Sequence, residues 1–320
     1  MATERQPETD PARLADGPDP PSDAGRRAGF VALIGAPNAG KSTLVNALVG
    51  TKVSIVSRKV QTTRSLIRGI AMRGRSQIIL VDTPGIFAPR RRLDRAMVTA
   101  AWGGAGDADI VGLLIDARRG LDDENRVILD RLGGVRQPKV LILNKVDVVK
   151  RDSLLALAKE ANEIQAFERT FMISALTGDG VGDLLDYLAE AVPEGPWLYP
   201  EDQVSDLPLR QLAAEITREK VFERLHEELP YASTVETDQW QERKDGSVRI
   251  EQTIYVERES QRMIVLGKGG QTVKAISMAA RKEISAILEA PVHLFLFVKV
   301  RDRWGEDPER YREMGLEFPE

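Results

Sequence analysis

The chain has 320 residues, of which 42% are hydrophobic and 29% charged, and its formal net charge at pH 7 is −4. A chain of this length is longer than a domain with a single hydrophobic core usually is, which predicts two domains with flanking tails. The sequence holds no cysteine and two histidines, His226 and His293. This composition excludes disulfides, thiolate zinc sites and a cysteine nucleophile, so any catalytic metal is expected on oxygen ligands.

The first residues are acidic and Pro-rich, unlike a signal peptide, and no apolar run reaches the roughly 18 to 20 residues that span a bilayer. We therefore predict a cytoplasmic protein without a transmembrane segment. Residues 1–27 contain five prolines and almost no large apolar side chains. Such a segment cannot bury enough surface to offset its ordering entropy, and we expect a disordered tail.

Residues 28–192 alternate strand-like runs with helical patterns, which predicts an α/β domain with a mostly parallel sheet and helices on both faces. The predicted strands are FVALIG, SLIRGIAM, QIILVD, DIVGLLID, KVLILN and RTFMIS. The second and third runs are separated only by RGRS, which predicts one antiparallel hairpin at an edge.

A Pro-rich stretch without periodicity, residues 193–207, is a predicted linker. Residues 208–303 form a smaller predicted α+β domain. It comprises a long amphipathic helix LRQLAAEITREKVFERLHEEL, the strands STVETDQW and VRIEQTIYVE, a second helical stretch KAISMAARKEISAILEA and a last strand VHLFLFVKV. We expect residues 304–320 to be a C-terminal tail.

The segment GAPNAGKS at 35–42 matches the G-x-x-x-x-G-K-[ST] spacing of a phosphate-binding loop. It follows a predicted strand and opens a helix, whose positive end favours phosphate over the alternative of a tight packing turn. Lys41 is expected to span the β- and γ-phosphates, and the Ser42 hydroxyl to ligate Mg²⁺. The predicted nucleotide contacts here are Gly35, Ala36, Pro37, Asn38, Ala39, Gly40, Lys41, Ser42 and Thr43.

The segment VDTPG at 81–85 places a carboxylate at the end of a buried strand. Asp82 is expected to bind the magnesium ion through water, and the Gly85 N–H to touch the γ-phosphate, with Thr83 and Pro84 between them. Upstream, QTTR offers a second metal hydroxyl from Thr62 or Thr63. We favour Thr63, although two β-prone threonines entering a strand are the alternative.

The segment NKVD at 144–147 predicts guanine specificity, because the Asp147 carboxylate can accept from both N1–H and the exocyclic amine of guanine. Asn144 either braces this loop against the phosphate loop or contacts N7, and the Lys145 stem can cover the base. An alternative role for Asp147 is a helix N-cap. The SAL segment, Ser174, Ala175 and Leu176, offers the Ala175 N–H for guanine O6.

The series GAPNAGKS, QTTR, DTPG, NKVD and SAL, in this order and strand context, resembles the translation-factor-related GTPases. Within that class, TKVSIVSRKVQTTR resembles the Era family, over residues 28–303. The resemblance implies an Era-type P-loop G domain followed by a type II KH domain. It also implies binding to the 3′ region of 16S ribosomal RNA, action in 30S subunit assembly, and peripheral association with the inner membrane. We expect a monomer.

The segment VLGKGGQTVKAI at 265–276 fits a KH domain, in which a G-x-x-G turn clamps a nucleic-acid backbone. From Arg262 to Arg303 there are eight Lys or Arg against three Asp or Glu. A plain turn between helices is the alternative, but the element order and the basic excess favour RNA. The predicted RNA contacts are Arg262, Gly267, Lys268, Gly269, Gly270, Lys274 and Arg281.

The predicted hydrolysis site departs from the familiar scheme, because Ile86 stands where many small GTPases carry a water-orienting Gln. An apolar side chain cannot orient water, which predicts slow turnover. The resemblance implies that Asn38 holds a potassium ion near the phosphates; its other role would be to order the loop. The predicted catalytic residues are Lys41, Asn38, Thr63 and Gly85. The competing functions are a non-hydrolysing, nucleotide-gated RNA-binding protein and a membrane-associated signalling GTPase.

Overall fold

The computed structural model describes residues 25–57, 59, 62–226 and 229–319. Nearly all of the predicted disordered tail lies outside these residues, and the first strand begins at Arg27.

The first domain is a six-stranded sheet with helices on both faces, which confirms the predicted fold class. Its strands are β1 (Arg27–Gly35), β2 (Ile67–Arg73), β3 (Ser76–Asp82), β4 (Ile110–Asp116), β5 (Lys139–Asn144) and β6 (Arg169–Ile173). Its helices are α1 (Lys41–Val49), α2 (Arg92–Asp107), α3 (Asp123–Leu132), α4 (Arg151–Ile164) and α5 (Val181–Ala191).

The strand order is β2-β3-β1-β4-β5-β6. Every neighbouring pair is parallel except β2 and β3, which form the predicted antiparallel edge hairpin. The central strands are apolar between their polar ends because separate cores cover the two sheet faces. The carboxyl ends of β1, β3 and β5 lie along one edge of the sheet, where the predicted nucleotide motifs begin.

The second domain has the element order of a type II KH fold, as predicted. It comprises α6 (Leu209–Arg224), β7 (Ser233–Glu242), β8 (Val248–Val256), α7 (Glu259–Leu266), a 3₁₀ turn (Lys268–Gly270), α8 (Gln271–Leu288) and β9 (Val292–Val300). The sheet order is β7-β8-β9, with β8 antiparallel to β7 and parallel to β9. The helices pack on one face of this sheet.

Helix α6 ends at Arg224, before the predicted end at Leu229. The backbone oxygens of Phe222 and Leu225 accept hydrogen bonds from the Lys59 ammonium of the first domain. A cation is favourable at a helix C-terminus, where backbone oxygens lack helical partners. A contact from a distant segment thus stabilises an early helix end.

The C-terminal segment contains a 3₁₀ turn (Trp304–Glu306) and helix α9 (Pro308–Glu313). Tyr311 and Leu316 are buried against Ala96 and Met97 of α2 in the first domain. The predicted C-terminal tail, residues 304–320, therefore contains packed structure that connects the KH domain to the helix that follows the DTPG loop.

None of the helices in the described part of the chain is both long enough and apolar enough to cross a membrane.

Candidate functional site

The predicted phosphate-binding loop connects β1 to the N-terminus of α1. Gly40 has a φ of 102°, and a Cβ there would lie 2.2 Å from the Asn144 side-chain nitrogen, so this position requires glycine. The Lys41 ammonium donates to the backbone oxygens of Gly35 at 3.0 Å and Ala36 at 3.1 Å. The loop therefore curls around its own lysine at the positive end of a helix.

Lys41 is buried, and burial lowers the pKa of its ammonium from 10.5 to about 8, while attraction to Asp82 opposes this shift. A desolvated ammonium without a carboxylate in direct contact gains strongly from an anionic ligand. An anionic ligand at this loop would therefore stabilise the charged form of Lys41.

A carboxylate and three hydroxyl groups meet beside this loop. Asp82 Oδ2 accepts from Ser42 Oγ at 2.6 Å, from Ser54 Oγ at 2.6 Å and from Thr63 Oγ1 at 3.4 Å. The hydroxyl oxygens of Ser42 and Thr63 are 2.9 Å apart. The three predicted metal-site residues, from three separate motifs, therefore converge on one point.

The chemistry of this cluster fits a magnesium ion. Asp82 Oδ1 is buried and has no hydrogen-bond partner among the described residues. Burial raises the pKa of the Asp82 carboxyl, against the opposing effect of the Ser42 and Ser54 hydrogen bonds. An orphaned carboxylate oxygen beside hydroxyl oxygens matches the hard oxygen ligands that Mg²⁺ prefers. Among the described residues, no group of three or more His, Cys, Asp or Glu is arranged so that it could hold a metal ion by itself.

The two adjacent threonines lie in different surroundings. Thr63 is buried with its hydroxyl beside Ser42, whereas Thr62 Oγ1 lies 2.8 Å from both Ser57 Oγ and the Lys59 backbone oxygen. Thr62 thus orders its own loop, and the geometry favours Thr63 as the metal ligand.

The DTPG loop packs against the phosphate-binding loop. The Thr83 hydroxyl donates to Leu33 O at 2.7 Å, and the Ile86 N–H donates to Gly35 O at 3.0 Å. Pro84 and Gly85 are buried, and a Cβ at Gly85 would lie 2.9 Å from Pro37 Cα. The Ile86 side chain is itself in the core, so it does not line the site.

Asn144 of the NKVD motif is hydrogen-bonded to both the GAPNAGKS loop and the SAL segment. Its side-chain nitrogen donates to Ala39 O at 2.8 Å, and its Oδ1 accepts from the Ala175 N–H at 3.0 Å. Of the two roles considered for Asn144, this geometry is the bracing one. The Ala175 N–H is engaged here, so a guanine O6 would share that donor. Asp147 and Leu176 are exposed and Ser174 is buried.

Asp116 is a further candidate site residue that the sequence-based predictions did not include. It lies at the end of β4, is 4% exposed, and accepts from the Lys145 ammonium at 2.7 Å. Lys145 also donates to Asn38 O at 2.5 Å. Burial alone would raise the pKa of Asp116, but hydrogen bonds from Arg118 and Lys145 outweigh it and lower the pKa. The available signal was a carboxylate ending the strand IVGLLID, the pattern already noted for Asp82.

The GKGG turn lies between α7 and α8. Gly269 and Gly270 have φ angles of 60° and 76°, and a Cβ at either would meet only open space. Lys268 and Lys274 are exposed beside the turn. Both glycines therefore present bare backbone to solvent next to positive charge.

The other two predicted RNA contacts lie farther from the turn. Arg281 is exposed on α8, about 15 Å along the helix from its start. Arg262 donates to Val298 O at 3.2 Å and to Glu259 at 2.6 Å, which links α7 to β9.

Two apolar residues beside the turn were also missed. Met263 and Ile264 on α7 are 59% and 57% exposed. A helix of eight residues leaves too little periodicity to reveal which apolar side chains stay in solvent.

Known proteins resemble this chain over most of its length. A family model described as "50S ribosome-binding GTPase" matches residues 30–145, and a KH domain model matches residues 228–305. GTPase Era of Rhizobium meliloti (strain 1021) is 73% identical over 293 residues, covering 92% of this chain and 94% of the relative. GTPase Era of Brucella suis biovar 1 (strain 1330) is 72% identical with the same coverage.

Two solved structures share the fold. Era in complex with MgGDPNP and nucleotides 1506–1542 of 16S ribosomal RNA aligns with a TM-score of 0.86 at 37% identity, over 91% of this chain and 99% of that one. An Aquifex aeolicus Era variant bound to GDP and AlF₄⁻ aligns with a TM-score of 0.85 at 37% identity, over 90% and 99%.

Proposed function

The chain belongs to the Era family of GTPases, and from this premise we propose that it is a Mg²⁺-dependent GTP switch that binds the 3′ region of 16S ribosomal RNA during 30S subunit assembly. We assign GTP hydrolysis to residues 28–192 and RNA binding to residues 208–303, with 193–207 as the linker and 304–320 as a C-terminal extension. The Era structure that contains a 16S fragment supports this assignment.

In the GTPase domain, Lys41 and the helix N-terminus behind it bind the phosphates, and the Gly85 N–H approaches the γ-phosphate. Ser42, Thr63 and Asp82 would hold a magnesium ion, which offsets the charge that develops on the phosphates. Because Ile86 is buried in the core, this position supplies no water-orienting group, and we expect slow turnover. Release of phosphate from GTP separates this function from that of a non-hydrolysing RNA-binding switch.

The observation that carries the RNA half of the proposal is the GKGG turn, whose bare glycines face open space beside Lys268 and Lys274. A sugar–phosphate backbone can approach such a turn closely, and lysines supply the charge. Met263 and Ile264 on α7 offer exposed apolar surface for unstacked bases.

The test is the affinity of the full chain for an RNA with the sequence of the 16S 3′ end. We expect the double variant Lys268→Asp, Gly269→Asp to lose about a hundredfold or more in affinity. The double variant Arg243→Gln, Lys244→Asp is the matched control, in the exposed β7–β8 turn of the same domain. Each double variant lowers the net charge by three units. If both variants lose affinity equally, the GKGG turn is not the binding site and net charge explains the loss.

We further propose that potassium assists hydrolysis at Asn38. This residue holds a left-handed backbone, with φ of 61°, and its backbone oxygen accepts from Lys145. Wild-type turnover is expected to be faster in potassium than in sodium buffer, and Asn38→Ala is expected to lose that difference. Equal rates in the two salts would exclude the role.

For location, we propose a monomer in the cytoplasm that associates peripherally with the cytoplasmic face of the membrane, as the family resemblance implies. Recovery in the membrane fraction at low salt and release by high salt would support peripheral association, because electrostatic surface binding is screened.

A further inference from the structure

The residue after Thr63 reaches out of the GTPase domain and into the KH domain. Arg64 is 4% exposed. Its guanidinium donates to Ser233 O at 2.9 Å, Tyr231 O at 3.2 Å and Pro230 O at 3.3 Å. All three acceptors are backbone oxygens in the turn that leads into β7 or at its first residue, so they do not move unless the KH backbone moves.

Aromatic rings complete the pocket around this guanidinium. Its central carbon lies 5.8 Å from the Phe222 ring centroid and 5.4 Å from that of Trp304. Phe222 belongs to α6, and Trp304 opens the C-terminal segment. Burial lowers the pKa of Arg64 to about 9, with repulsion from Arg218 adding to the shift, so the group stays charged at neutral pH. A desolvated cation facing carbonyl oxygens and aromatic faces is strongly held.

The residue before Thr63 is held by the same domain. The fully buried Arg218 of α6 donates to Thr62 O at 2.6 Å, and Glu215 pairs with the Arg218 guanidinium. Thr63 therefore sits between two residues that the KH domain anchors, while its own hydroxyl lies beside Ser42 and Asp82. Because successive Cα atoms are about 3.8 Å apart, Thr63 cannot leave the metal site without straining these contacts.

We infer that Arg64 is a positioning residue through which the KH domain holds the Thr63 hydroxyl at the magnesium site. Thr63 supplies the ligand atom, and Arg64 fixes where that atom stands. The inference rests on the proposed magnesium role of Thr63. On this inference, the affinity of the GTPase site for its metal depends in part on the backbone of the RNA-binding domain.

The test uses the full chain and measures the Mg²⁺ concentration that gives half-maximal binding of a non-hydrolysable GTP analogue. Arg64→Ala is expected to raise that concentration about tenfold, the usual effect of removing a group that orients a metal ligand. Thr63→Ala removes the proposed ligand atom itself, so we expect a rise at least as large. The double variant is expected to match Thr63→Ala alone, because Arg64 acts through Thr63. Arg64→Lys is expected to fall between wild type and Arg64→Ala, since an ammonium keeps the charge but not the planar fork.

Lys52→Ala is the matched control for the domain interface. Lys52 forms ion pairs with Glu219 and Glu283 of the KH domain, on a different part of the interface from the backbone oxygens that hold Arg64. We expect its Mg²⁺ requirement to stay within about twofold of wild type. Affinity for GDP without Mg²⁺ should stay equally close to wild type in Arg64→Ala, which shows that the variant is folded.

The outcomes separate this inference from the function on which it rests. Normal Mg²⁺ dependence in Arg64→Ala beside a shifted Thr63→Ala overturns the inference alone, as does an equal shift in Lys52→Ala. Losses that add in the double variant also overturn it, because Arg64 would then act independently of Thr63. Normal Mg²⁺ dependence in Thr63→Ala overturns the proposed ligand.

Discussion

Ser42 Oγ donates to Asp82 Oδ2 at 2.6 Å and thereby joins the phosphate-binding loop to the DTPG loop, 40 residues later in the chain. The same carboxylate oxygen accepts from Ser54, and its other oxygen is buried without a partner among the described residues. One carboxylate thus organises the cluster that we assign to magnesium.

Asp82→Asn should raise the Mg²⁺ concentration needed to bind a GTP analogue by about ten- to a hundredfold, because an amide carries no charge to offset that of the ion. Titration of Mg²⁺ against analogue binding measures this. Ser54→Ala is the control, since it removes a hydrogen bond to the same oxygen but no predicted ligand, and a change below about threefold is expected. A larger effect from Ser54→Ala than from Asp82→Asn would contradict the assignment.

Lys41→Met should stabilise the nucleotide-free protein near neutral pH while abolishing GTP binding. The pKa of about 8 in the folded state lies below the ordinary 10.5, so the folded state binds this proton less tightly than the unfolded chain. Below about pH 8 the buried ammonium therefore costs stability, on the order of 3 kcal/mol, and the cost disappears as pH rises toward 10.5.

Denaturant unfolding of wild type and Lys41→Met at about pH 7 and about pH 10 measures this difference in stability. Other titrating groups are common to both proteins and cancel. An advantage of the variant that stays constant with pH would contradict the ionic explanation, because lost methylene and amine contacts do not titrate.

Asp147→Asn should convert the base preference from guanine toward xanthine. The carboxylate accepts two hydrogen bonds from guanine, whereas an amide can donate to the additional carbonyl of xanthine. We expect GTP affinity to fall about a thousandfold or more and XTP binding to appear. Competition of GTP, XTP and ATP for a labelled nucleotide measures this. Asp152→Asn, an exposed position in the first turn of α4, should leave all three affinities unchanged.

Asp116→Asn should weaken GTP binding about tenfold, because Lys145 loses the carboxylate that holds its stem over the proposed base position. Arg118→Ala separates this role from general stability, since Arg118 contacts the same carboxylate from a half-exposed position. Calorimetry of GTP binding is expected to show a much smaller loss for Arg118→Ala. If both variants lost GTP affinity equally, the effect would come from disruption of the loop after β4 and not from loss of the Lys145 contact.

The lowered pKa of Asp116 also predicts a pH-dependent contribution of this carboxyl group to folding stability. Its contribution is present above the unfolded carboxyl pKa and is lost as pH falls through the lower folded value. Asp116→Asn should therefore be less stable than wild type at neutral pH, and this difference should shrink in strong acid. Unfolding curves over the acid range measure it.

The sequence alone determined the fold class, the succession of strands and helices along the chain, and the nucleotide motifs. Each of the motifs GAPNAGKS, DTPG and NKVD is a single uninterrupted stretch of sequence. The backbone conformation of each is set by its own residues and by the strand and helix next to it. The parallel strands were evident because burial on both faces requires uninterrupted apolar runs. The GKGG turn was evident for the same local reason, since its glycines adopt positive φ.

Only the tertiary structure decided which of two adjacent threonines lies beside Ser42, that Asn144 braces Ala39 and Ala175, and that Asp116 holds Lys145. It also decided that Arg64 is buried in the other domain. The physical reason is that these contacts join segments from about twenty to more than a hundred residues apart. Their existence depends on how rigid elements are placed against each other, and that placement leaves no periodic trace in the chain.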